Sequence, residues 1–163
     1  MSEVTFLAVQ ARIAALCATV SGITTVLTDY PTVPFLSTAL PVMVVKPGRI
    51  TYERVSAKSF FILTEYGLIL HVTPEIEQGI PDPISEALCY PFLVSVPKCF
   101  MAHPRLDGKT LPADTPDAGL VYGSNFANSN GARRNVAYYG VGSSKVFWGP
   151  VFRLIVRTLH SAP

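Results

Sequence analysis

The sequence predicts an α+β fold: an N-terminal helix packed on a mainly antiparallel β-sheet, with a further helical segment and long proline-rich loops. Three observations predict it. An alanine-rich stretch at the N-terminus carries apolar residues at helical spacing, runs rich in β-branched residues alternate with Gly, Pro and Asn turn signals, and eight of the 14 prolines fall between residues 73 and 119.

The totals set bounds on these elements. A chain of 163 residues is the size of one domain, and such a chain buries roughly 70% of the surface it exposes when unfolded. Hydrophobic residues make up 49% and charged residues 15%, which excludes a disordered polyelectrolyte and leaves much of the surface uncharged. Uncharged surface of that extent calls for a protein partner. Net charge is +2 but unevenly placed: residues 1–97 hold five basic and eight acidic side chains, residues 98–163 eight basic and three acidic. The C-terminal part is therefore the candidate basic face. Cys17, Cys89 and Cys99 form neither a disulfide framework nor a zinc knuckle, and no signal peptide or membrane span is legible. The expectation is a soluble protein made in a reducing cytoplasm.

In chain order, Ser2 caps a helix whose residues Phe6, Val9, Ile13, Leu16, Cys17 and Val20 share one stripe, with Gly22 placed for a left-handed C-terminal cap. Residues 23–29 and 39–46 read as strands joined by a loop, and Pro41 belongs at the start of the second because it cannot donate to a ladder. Pro47-Gly48 reads as a turn into a short strand, 50–55. Residues 59–73 form a long apolar strand in which Glu65 and Gly67 suggest a bend or bulge. Asp82 and Pro83 start a short helix, 83–90, followed by a second, 92–102, kinked or broken at Pro97. Residues 105–118 read as an exposed loop or arm.

The remainder reads as a meander: 120–127, a hairpin turn at Asn130-Gly131, then 133–139, 140–144 and 146–159. In the last strand Val146, Trp148, Phe152, Leu154 and Val156 share one face and Arg153 and Arg157 the other.

Residues for chemistry are sparse. There is no GxSxG elbow, and Gly140 to Lys145 has the small residues of a phosphate loop without its GK[ST] ending, so it reads as a hairpin turn. Glu75, Glu77, Asp82 and Glu86 match no calcium-loop spacing. His71, His103 and His160 are too scattered for a local metal motif, and His71 in a strand reads as a packing residue. An enzyme or metal- or ligand-binding domain would require the fold to gather His71, His103 and an acidic residue in a cleft. Arg133 and Arg134, with Lys145, Arg153 and Arg157, form the basic cluster to weigh for nucleic acid, against a reading as solvated or subunit-pairing charges.

The order of pieces resembles the tail terminator (tail completion) proteins of long-tailed bacteriophages. The resemblance lies in the alanine-rich helix closed by Gly22-Ile23, the strand into Asp29-Tyr30-Pro31, and Leu40-Pro41-Val42-Met43-Val44-Val45-Lys46-Pro47-Gly48. At the far end it lies in Phe147-Trp148-Gly149-Pro150-Val151-Phe152-Arg153-Leu154-Ile155-Val156. Residues 73–118 depart from it, and its motifs contain no functional residue. It implies a non-enzymatic structural virion protein without a cofactor, which forms a ring, usually a hexamer, on the tail tube. The ring stops tube growth and joins the tail to the head connector or stopper protein.

On that reading the chain sits at the head–tail junction, and double-stranded DNA passes its lumen without sequence-specific contact. Arg133, Arg134, Arg153 and Arg157 are the candidate DNA-facing residues. Candidate interface loops contain Thr32, Pro34, Phe35 and Leu36, then Asp107, Lys109 and Asp114, then Asn125, Asn128 and Asn130. Another head–tail neck adaptor, a head-completion or stopper protein, is the alternative within the same class.

Overall fold

The computed structural model describes residues 3–35, 37–74, 83–104, 106, 120–126, 130–139 and 143–161. Their order is α1 (Glu3–Ala18), β1 (Thr25–Leu27), a 3-10 turn (Ser37–Ala39), β2 (Val42–Arg54), β3 (Ser59–His71), β4 (Thr73–Pro74), α2 (Pro83–Ala102), β5 (Leu120–Phe126), β6 (Asn130–Tyr139) and β7 (Ser143–Ser161). The fold is α+β, as the sequence predicts.

One sheet runs through all the strands, in the order β1-β2-β3-β7, with β4, β5 and β6 also paired to β7. Because Trp148 is opposite both Thr73 and Arg134, β4 and β6 lie on opposite edges of β7. Strands β3 and β4 thus follow one edge in succession, β5 and β6 the other, and the sheet has five tracks. Pairing is antiparallel throughout the described residues except between β1 and β2, where Thr25 is opposite Val42.

Packing on the sheet follows from alternation. Residues Leu68, Leu70, Phe152, Leu154 and Val156 point to one face and join Met43, Val45 and Tyr66 in the main core. Helix α1 covers that face with Val9, Ile13, Leu16 and Cys17, and Val20 follows, all buried as the helical spacing predicts. Burial pushes the Cys17 thiol up to about 12, with Cys99 nearby adding to the effect, and burial likewise raises the Tyr66 phenol to about 12. Helix α1 ends at Ala18, so Gly22 is not the helix cap that the sequence predicts. It lies four residues later, at φ +91°, in a turn where the Ile23 N–H donates to Val20 O at 3.3 Å, and a Cβ there would lie 3.2 Å from the Phe92 ring.

Four further sequence expectations are corrected. Pro47-Gly48 is no turn: β2 runs through it to Arg54, with a register shift between Pro47 and Ile50. The irregularity expected on β3 at Glu65 therefore belongs to its partner, where Gly48 and Arg49 together oppose Glu65. Residues 83–102 form one helix with Pro91 and Pro97 inside it. An internal proline costs about 3 kcal/mol, but Cys89, Phe92, Val96 and Phe100 are all buried on one stripe, and burying each large apolar side chain returns roughly 1.5–3 kcal/mol. Packing outweighs the proline cost.

The last correction concerns Asn130-Gly131, which opens β6 at a register shift between Asn130 and Arg133 instead of turning a hairpin. Strands β5 and β6 run in the same direction, since each is antiparallel to β7. At 19 residues β7 is long enough that two successive segments are used to satisfy its edge. Strands β6 and β7 are antiparallel neighbours with Tyr139 opposite Ser143, and residues 140–142, expected as a hairpin turn, lie outside the described residues.

Candidate assembly surface

The sheet face away from the helices carries Lys46, Glu53, Glu65, Arg153 and Arg157. Arg153 and Arg157 both lie on it, as the alternation predicts, and each meets a carboxylate. Arg153 Nε is 3.5 Å from Glu65 Oε1, and Arg157 Nη2 donates to Glu53 Oε2 at 3.1 Å. The Arg157 guanidinium also lies 3.8 Å from the Phe61 ring centroid. Arg133 and Arg134 lie opposite Gly149 and Trp148 on β6. Trp148 and Arg157 are nine positions apart along β7, which spans about 30 Å at the usual rise per residue. The four arginines therefore follow one strand and do not converge on one patch.

The loop after β1 is anchored at its base. Phe35 packs 6.4 Å from Tyr30, 5.7 Å from His71 and 5.9 Å from Phe147, ring centre to ring centre. With Leu40 and the buried Ala137 they make a second, smaller apolar cluster on the charged face of the sheet. His71 is fully buried there and its Nε2 lies 3.0 Å from the Tyr30 hydroxyl. Lys46 Nζ donates to Asp29 Oδ1 at 2.7 Å, and that bond, with the Tyr30 backbone N–H, holds the Asp29 carboxyl below its ordinary value. Thr32, Val33 and Pro34 stay exposed, whereas Phe35 is an anchor and not a reaching residue.

Of the other expected interface residues, Asn125 opposes Ile155 and Asn130 opposes Val151, both paired along β7. Leu36, Asp107, Lys109, Asp114 and Asn128 lie outside the described residues. His103 follows the end of α2, its N–H bonded to Phe100 O, and is not brought to His71. His160 is buried beside Phe60, its Nε2 2.8 Å from Thr158 Oγ1. Among the described residues no three His, Cys, Asp or Glu side chains gather as a metal would require, and no described helix is long and apolar enough to cross a membrane.

Sequence reasoning missed where the exposed apolar surface is concentrated. Helix α2 exposes Leu88, Tyr90, Val94 and Met101, the last at 76%, and α1 adds Leu7. The β2–β3 arm exposes Ile50, Tyr52 at 68% and Val55, and its tip has a shallow concavity lined by Tyr52, Arg54, Ser56, Ala57, Ser59 and Phe60. The signal was present for α2, whose sequence is apolar nearly all round with Glu86 and Lys98 as its charges. For β2 it was hidden by reading Pro47-Gly48 as a turn, which cut the arm in two.

No protein-family model matches this chain, and no curated protein matches it in sequence.

Proposed function

We propose that the chain is a ring-forming structural subunit that terminates a bacteriophage tail tube and joins it to the head connector. The observation that carries this reading is the pair of apolar surfaces, one on helix α2 at Tyr90, Val94 and Met101 and one on the arm at Ile50 and Tyr52. A subunit that meets like neighbours head to tail uses two different patches, and such contacts generate rings where the rotation closes. The resemblance at both ends of the sequence supplies the tail-terminator identity within that class.

The charged face suits a channel that DNA passes without being held. Arg153 and Arg157 are balanced by Glu65 and Glu53, so this part of the face offers phosphates little unbalanced charge. Removal of the protein from an otherwise complete assembly tests the reading. Heads full of DNA and unjoined tails of abnormal length are expected, and normal joined particles would overturn it.

A further inference from the structure

Strand β2 leaves one edge open. Strand β1 covers it only from Val42 to Val44, and Gln10 closes the next position by donating its amide to Val45 O at 3.0 Å. From Lys46 to Arg54 no described strand pairs with that edge. An edge of this length with exposed apolar residues is a template for another strand.

The side chains say which strand fits. In an antiparallel pairing of two β2 edges centred on Thr51, Arg49 faces the second copy's Glu53 and Ile50 faces its Tyr52, each contact occurring twice by symmetry. Sliding the register by two residues either way breaks both charge pairs, and sliding one way sets Lys46 against Arg54. Ile50 and Tyr52, 43% and 68% exposed, lie on the face of Ile62 and Thr64, their partners in β3. Two copies would close these four side chains into one apolar cluster. Glu53 is on the opposite face beside Arg157, where the incoming Arg49 adds a second cation to the same carboxylate.

We propose that two copies of this chain join through their β2 edges, residues 48–54, in a two-fold antiparallel pair that makes one continuous sheet. The contact pairs one patch with itself and covers Ile50 and Tyr52, so it competes with a head-to-tail ring contact through that patch; it holds free subunits as a two-fold pair that must open before the ring closes.

Sedimentation of the full chain with charge variants, and cross-linking through Thr51→Cys in a Cys99→Ser background, test this. Opposed antiparallel positions have Cα atoms about 4.5–5.5 Å apart, within disulfide reach, so Thr51→Cys is expected to form a disulfide dimer under mild oxidation. Ala57→Cys, far from the symmetry axis, is not. Arg49→Glu and Glu53→Arg are each expected to weaken the dimer about ten-fold, and the double reversal to restore it. Circular dichroism confirms that each variant folds. A chain that stays monomeric without a Thr51→Cys dimer, or a double reversal that does not restore pairing, overturns the proposal. If rings form normally while Thr51→Cys fails to cross-link, the pairing falls and the ring reading stands. Dimers that never give rings support the pairing and overturn the ring reading.

Discussion

The Tyr30 hydroxyl and His71 Nε2 lie 3.0 Å apart, joining the loop after β1 to a strand 41 positions later in the chain. The Phe35 ring completes the contact, so the loop proposed as an arm is fixed at its base. Tyr30→Phe keeps the ring and removes the hydroxyl, with an expected loss of about 1 kcal/mol. Urea unfolding measures it, and an unchanged midpoint would show that the bond contributes nothing.

Gln10 holds helix α1 to the sheet by donating to Thr28 O at 3.1 Å and to Val45 O at 3.0 Å. Gln10→Leu retains most of the volume but leaves both carbonyls without this donor. A destabilisation of about 1–2 kcal/mol is expected in the same unfolding assay.

Burial lowers the His160 imidazole below its ordinary value of 6.5. The fold therefore favours the neutral ring, and its contribution is fully present above about 6.5 and lost as pH falls through the lower folded value. Melting temperature is expected to drop between pH 7.5 and 5, and His160→Gln to flatten that drop. A wild-type profile unchanged by the substitution would exclude His160 as its source.

If DNA is loosely passed and not held, binding in solution is weak and steep in salt. Replacing Arg133 and Arg134 by alanine is expected to reduce the salt slope by about two units at most. Tight, sequence-selective binding in moderate salt would contradict the passage reading.

Thr32, Val33 and Pro34 are exposed on the anchored loop. Their replacement by serine is expected to leave the melting temperature within about 2 °C of wild type, as surface changes usually do, while reducing the yield of joined particles. Fully infectious variants would show that the loop is not an interface.

Local signals fixed what depended on local spacing. Val9, Ile13, Leu16 and Cys17 announced the buried stripe of α1, and Phe152 to Val156 against Arg153 and Arg157 announced the two faces of β7. What escaped depended on partners distant in sequence. The prolines of α2 are tolerated because Cys89, Phe92, Val96 and Phe100 meet the core, and Asn130-Gly131 continues a strand because β7 offers it an edge. The outer-face ion pairs were illegible for the same reason: Glu53 and Arg157 are 104 positions apart. Exposed apolar patches were foreseen from composition in kind but not in place.

The central claim is most directly tested by electron cryomicroscopy of particles carrying a tagged copy of this chain. Density for a ring of the chain between the tail tube and the head connector is the expected result. The chain found elsewhere in the particle, or absent from it, would contradict the claim.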